Sequence, residues 1–220
     1  MIGTRKLLVW YLLLLLPINI ASAGSGLGPD KPAAAPRVFL LDGKHLLAAR
    51  VRIGSRDKSL EPALARLRRD AQKALSTEPQ SVVSKQATPP SGSKHDYLSQ
   101  APYFWPNPKT PDHLPYIRRD GERNPEINMI SDHQTMDRMV SAVETLALAY
   151  FFDGDGACAA KAAELVRAWF VDSATRMNPN LEFAQFIPGV NTGRGIGLIE
   201  TRGLQCGKPR RIDVAGNTGR

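Results

Sequence analysis

Residues 94–126 read KHDYLSQAPYFWPNPKTPDHLPYIRRDGERNPE and bring aromatic, cationic and prolyl residues together in one short run. Tyr97, Tyr103, Phe104 and Trp105 offer flat faces, and the tyrosines and the tryptophan add polar tips. Such faces can grip sugar rings. Lys94, His95, Asp96, Arg118, Arg119 and Arg123 add the charge that an anionic ligand or a proton transfer needs. The prolines break the run too often for a helix, and Asn124-Pro125-Glu126 reads as a stop before the next element. A second reading stays open, a proline-stiffened loop that packs its aromatics on a core, because aromatic residues are mostly buried.

A second irregular run, QFIPGVNTGRGIGLIETRGL, spans 185–204. Gly193, Gly195 and Gly197 let the backbone approach a neighbour closely, and Asn191, Arg194, Glu200 and Arg202 stand among apolar residues. A phosphate loop does not fit, because the glycine spacing lacks the GxxxxGK[ST] pattern and no strand precedes it. A tight helix-to-helix connection is the simplest expectation. The histidines, His45, His95, His113 and His133, form no HExxH pair, and no CxxC occurs, so the spacing supports no metal site. His133 stands at a helix start and reads as a local polar contact. No GxSxG nucleophile signature is present.

The elements that position these runs are helical. Leu46 to Ile53 starts a helix that Gly54 stops. In SLEPALARLRRDAQKALS, Leu60, Ala63, Leu64, Leu67, Ala71, Ala74 and Leu75 recur at steps of three and four, the period of an amphipathic helix. Ser59 is its expected N-cap, and Pro62 fits the first turn. Beyond the aromatic run, Ser131 and Asp132 are expected to cap a helix whose face carries Met136, Met139, Val140, Val143, Leu146, Ala147, Tyr150 and Phe151. The turn DGDG at 153–156 separates it from a helix over 157–171, so an antiparallel helical hairpin is expected. Strand-like alternation is nearly absent and no 34-residue repeat recurs, which points to an all-α fold outside the regular repeat arrays.

Arg5 and Lys6, the apolar run Leu7 to Leu16 and Ala21-Ser22-Ala23 follow the order of a secretory signal peptide, here 1–23. The apolar run is shorter than the roughly 20 residues a membrane span takes. Residues 24–36, GSGLGPDKPAAAP, read as a flexible linker. Of the formal net charge of +8, +2 belongs to the leader and +3 to QCGKPRRIDVAGNTGR at 205–220, leaving +3 on 24–204. No basic block of the kind nucleic acid selects is present. Cys158 and Cys206 are too few for a disulfide framework, and Cys158 in an Ala-rich stretch reads as a small buried thiol.

Taken in order, KHDYLSQAPYFWPNP, YIRRDGERNPE, the SDHQTMDRM helix and QFIPGVNTGRGIGLIETR resemble the alginate lyase family of polysaccharide lyases over about 37–204. The resemblance implies an exported protein, periplasmic or secreted, with an (α/α) toroid of antiparallel helical hairpins around a groove for an acidic polysaccharide. It implies β-elimination on alginate or a related polyuronate, with no metal or organic cofactor. It also implies that the loop matching Lys94 to Trp105 lies over the groove, which makes Lys94, Tyr97, Tyr103 and Trp105 substrate-binding candidates. Asn191 and Arg194 in the Gly-rich run are candidates for a carboxylate contact or for loop structure. A monomer is expected, with no nucleic acid and, after signal cleavage, no membrane as partner.

The family's Asn-Asn-His element and its later Tyr have no counterpart in this sequence. The catalytic residues are therefore unassigned. After Leu204 apolar periodicity gives way to the 205–220 tail, so the chain reads as the N-terminal part of the toroid, C-terminally truncated or frame-shifted. The alternative from another class is a non-catalytic polysaccharide-binding or helical scaffold module.

Overall fold

The structure is a computed structural model that describes residues 41–195 together with Pro36 and Val38. The signal segment 1–23, the linker 24–36 save for Pro36, and the tail 205–220 with Cys206 lie outside the described residues. Cys158 itself is buried as a free thiol.

Four α-helices dominate the fold. Helix α1 (Gly43–Gly54) begins where the Asp42 carboxylate accepts from the Lys44 amide at 2.8 Å, and it buries none of its residues. Helix α2 (Glu61–Ala74) grows out of a 3-10 turn, Lys58–Leu60, and Pro62 occupies its first turn as expected. Ser59 does not cap it: the α2 N-cap position falls on Leu60, which makes no side-chain bond. Asp57 caps the preceding 3-10 turn, its carboxylate accepting from the Ser59 amide at 2.9 Å and the Ser59 hydroxyl at 2.7 Å. A carboxylate two residues upstream reaches the free amides that a hydroxyl inside the turn cannot.

Helix α3 (Asp132–Asp153) and helix α4 (Gly156–Phe170) form the expected antiparallel hairpin. Gly154 takes the left-handed conformation, φ 74°, that ends α3, and Asp155 caps α4 through the Ala157 amide at 2.9 Å. The apolar core joins α2, α3 and α4: Ala71, Ala74, Met136, Met139, Leu146, Leu165 and Trp169 are all buried in it. Each fully buried large side chain of this kind contributes roughly 1.5–3 kcal/mol. Arg68 forks onto the Asp153 carboxylate at 2.9 and 2.6 Å across α2 and α3, a half-exposed pair that adds at most about 1 kcal/mol.

The fold is mostly helical, and four short strands qualify the all-α expectation. Strand β1 (Leu98–Gln100) pairs in parallel with β4 (Phe183–Phe186), and β2 (Phe104–Trp105) pairs antiparallel with β3 (Ile117–Arg118). Strands of two to four residues are too short to display a period of two, so sequence pattern does not reveal them. The run that opens at Gln185 is likewise no helix-to-helix connection. It starts inside β4 and returns through a bridge between Ile187 and Asn191.

Candidate functional site

The aromatic run is fastened to the helices by buried charge. Lys85 and Asp132 form an ion pair at 3.0 Å with both side chains fully buried. The Lys85 ammonium also donates to the carbonyls of Val82 at 2.7 Å and Lys94 at 2.8 Å. Lys94 returns the bond, donating to the carbonyls of Lys85 at 2.6 Å and Gln86 at 2.8 Å. This reciprocal clasp pins 85–86 against 94.

Asp132 accepts the Leu98 amide at 2.9 Å, so it ties β1 to the first turn of α3. The sequence suggests that Ser131 and Asp132 cap α3. Ser131 holds the N-cap position without a side-chain bond, and Asp132 spends its carboxylate on Lys85 and Leu98 instead. Burial pushes the Asp132 carboxyl up to about 6, against the Leu98 amide and Lys85, which pull it down. Burial likewise pulls the Lys85 ammonium below its usual range, against the pull of Asp132.

Asp96 does the same work toward residues 178–180, just ahead of β4. Its carboxylate accepts from Ser91 Oγ at 2.6 Å, Asn178 Nδ2 at 2.7 Å and Asn180 Nδ2 at 3.3 Å. Burial works to raise this carboxyl, but the three donors outweigh it and hold the group below its ordinary value. His95 adds a bond from Nδ1 to the Arg176 carbonyl at 2.6 Å.

The β2–β3 hairpin carries the outward chemistry. Trp105 is half-buried, donates from Nε1 to the Glu122 carbonyl at 2.8 Å, and has the Arg119 guanidinium 5.4 Å from its ring centroid. Tyr103 is 39% exposed, which leaves its ring available to a ligand. Arg118 meets Asp120 at 2.6 Å and Arg119 meets Glu122 at 3.5 Å, while Arg123 is exposed and pairs with no carboxylate among the described residues.

Beside the hairpin, the Glu126 carboxylate accepts from the Tyr116 hydroxyl at 2.8 Å and from Asn124 Nδ2 at 3.1 Å. Burial first, then the carboxylate, pushes the Tyr116 hydroxyl up to about 12. Asn124, 1% exposed, also donates to the Phe104 carbonyl at 2.8 Å, which welds the hairpin to this cluster.

The six candidates therefore separate. Tyr103 and Trp105 come together on the hairpin surface. Tyr97 is a correction: it is fully buried within the helical core, so its ring faces side chains and not a ligand. Lys94 is half-buried and spends its ammonium on two loop carbonyls, so it organises the run. Asn191 uses its side-chain oxygen for the Ile187 amide at 3.1 Å, a loop-forming role, and its remaining surface is exposed. Arg194 is held by its backbone, its amide donating to the Ala184 carbonyl at 2.9 Å, with its side chain exposed. Gly193 explains the glycine-rich spacing: a side chain there would run into the backbone of Glu182 and Phe183, with the Phe183 Cα 2.6 Å from the added carbon. Gly197 lies outside the described residues.

Sequence reasoning misses Lys85, Asp132 as a cross-link, Tyr116 and Glu126. Lys85 sits in a turn-rich stretch with no pattern, and nothing local shows that its partner lies 47 positions on. A signal does exist for Glu126, since Asn-Pro-Glu is the turn that fixes it, with Asn124 Oδ1 accepting the Glu126 amide at 3.0 Å. Among the described residues no group of three or more His, Cys, Asp or Glu gathers to hold a metal ion.

The sequence model of the family described as alginate lyase matches residues 81–214, which takes in both irregular runs and α3 and α4. No curated protein matches the chain. Among solved structures, an alginate lyase from Bacteroides ovatus superposes with a TM-score of 0.72 at 42% identity. That match covers 78% of this chain and 44% of the other, so the chain spans less than half the length of that relative. With more than half of its residues matched by the family's own pattern, the chain belongs to the alginate lyase family.

Proposed function

We propose that this chain is the N-terminal part of a polysaccharide lyase that cleaves an acidic polysaccharide, alginate or a related polyuronate, by β-elimination. The observation that carries the reading is the family match over 81–214, supported by the 42% identity to a solved alginate lyase. In such a reaction the C5 proton of a uronate leaves and the 4-O-glycosidic bond breaks. The neighbouring carboxylate must be neutralised by cationic or amide donors, because negative charge builds on it in the transition state. A His or Tyr takes the proton, and a Tyr returns one to the leaving oxygen.

The hairpin residues Tyr103, Trp105, Arg118, Arg119 and Arg123 are the part of this machinery we assign, as the surface that receives the polymer. Asn191 and Arg194 stand at the second run as further contacts, with Arg194 the better suited to a carboxylate because its side chain is exposed and cationic. The proton-transfer groups are not assigned to residues of this chain. The helical hairpins are read as part of an (α/α) toroid, and the leader as directing a monomeric protein to the periplasm or the medium.

Incubation of the purified chain with alginate tests the reading. A rise in the ultraviolet absorbance of the unsaturated uronate product would bear the lyase reading out. Binding without product would favour the second reading, a polysaccharide-binding module, which the exposed Tyr103 ring and the hairpin's arginines could serve by themselves. Neither binding nor product would end both.

A further inference from the structure

Glu126 stands in the 3-10 helix Pro125–Met129, beside β1 and the β2–β3 hairpin, and its carboxylate is held from one side only. Three donors converge on Oε2: the Tyr116 hydroxyl at 2.8 Å, Asn124 Nδ2 at 3.1 Å and, at a long 3.5 Å, Gln100 Nε2. Oε1 receives no bond from the described residues, and it is not among the buried atoms that lack a partner. The side chain is half-buried, while two of its three donors, Gln100 at 7% and Asn124 at 1%, are buried. The group is therefore a fixed carboxylate with one oxygen occupied and the other open.

The three donors together hold this carboxyl below its ordinary value against the effect of burial, so it is charged at neutral pH. A charged oxygen in a fixed place accepts a hydrogen bond strongly and repels another anion. A uronate polymer offers both kinds of group on every sugar: neutral ring hydroxyls and an anionic carboxylate. We propose that Glu126 is a substrate-positioning residue whose Oε1 accepts a hydrogen bond from a ring hydroxyl of the polysaccharide lying on the β2–β3 hairpin. The sugar's own carboxylate is turned toward the hairpin's arginines and away from Glu126, so the pair of contacts fixes which edge of the sugar faces the protein. This inference rests on the polyuronate reading given above.

The test uses the full chain and alginate oligosaccharides, with affinity followed by calorimetry and by tryptophan fluorescence. Glu126→Gln keeps the volume and an acceptor for Tyr116, and it is expected to weaken binding about tenfold while the melting temperature moves little. Tyr116→Phe removes a donor from Oε2 and leaves Oε1 in place, so it is expected to lower the melting temperature and cost less affinity than Glu126→Gln. The decisive arm uses alginate whose hydroxyls have been partly O-acetylated. Acetylation removes the donor, so the wild type loses affinity and Glu126→Gln loses little more.

Equal affinity of wild type and Glu126→Gln for the native polymer would overturn the proposal, as would an equal acetylation penalty in both. Those results leave the polyuronate reading standing. Failure of the wild type to bind or cut any uronate polymer would sink that reading and this inference together.

Discussion

The helical layer and the aromatic run are held by different kinds of force. Between α2, α3 and α4 the contacts are apolar and collective: Leu146 and Trp169 are fully buried among neighbours of the same kind. Across 85–132 the ties are single and polar, a buried ion pair at 3.0 Å, a reciprocal lysine clasp and amide-to-carboxylate bonds. Apolar packing tolerates a change of shape that conserves volume. A buried polar tie does not tolerate a change of chemistry, because the surviving partner is left desolvated and bare. The first region should therefore respond to volume and the second to charge.

The largest effect belongs to the helical layer. Trp169→Ala removes the largest fully buried side chain and is expected to cost about 3–5 kcal/mol, read as a lower denaturation midpoint at unchanged slope. Next comes Asp132→Asn, which barely changes volume yet leaves the Lys85 charge without its counter-ion. A loss of about 1–3 kcal/mol at neutral pH is expected, because asparagine still offers an oxygen to the Leu98 amide while its NH2 group sets a second donor against the Lys85 ammonium. A loss below that of a conservative core swap would break the contrast between the regions.

The pH dependence of the same variant sharpens the contrast. In the folded chain the Asp132 carboxyl sits at about 6, above its ordinary 3.8, so the native state binds the proton more tightly than the unfolded one. Stability contributed by this group is thus full at acid pH and falls as pH rises through that window. The difference in unfolding free energy between wild type and Asp132→Asn is expected to shrink from about pH 4 to about pH 6 and to stay flat above. A difference that grows over that range would contradict the assignment.

Smaller changes follow. Asn124→Ala strips bonds to the Phe104 carbonyl and the Glu126 amide and carboxylate, for a loss of about 1–3 kcal/mol and faster amide exchange across the hairpin. Leu146→Met keeps volume in the apolar layer and should cost under about 1.5 kcal/mol by thermal melting. Tyr103→Ala, on an exposed face, should leave stability within about 0.5 kcal/mol while weakening alginate binding, which separates the surface of the run from its anchors.

Much of the helical layer is legible in the sequence because its physics is local and periodic. The i, i+3, i+4 spacing through Leu67, Ala71, Ala74 and through Met136, Met139, Leu146 names most of the buried faces, although Ala63, Ala147 and Tyr150, expected on the same faces, are exposed, and Gly154 marks the turn between α3 and α4. The candidate site is legible only in part. Tyr103 and Trp105 stand on a hairpin surface, where their aromatic character can meet a ligand. Tyr97, a few positions earlier in the same run, carries the same chemistry and lies inside the core. Residue type is identical in the two tyrosines, so only their surroundings tell them apart.

Residue order is enough to establish the helices, their apolar faces, the turn that pairs α3 with α4, and the concentration of aromatic and cationic groups in one irregular run. These follow from the period of the backbone and from residue type, which neighbours along the chain already express. The folded chain is needed to settle which aromatic faces outward, that Asp132 serves Leu98 and Lys85, and that Glu126 keeps one oxygen open. The tie at Asp132 joins groups 34 and 47 positions apart, and the aromatic faces are set by whatever packs over them from elsewhere in the chain. No local pattern encodes where such partners will stand.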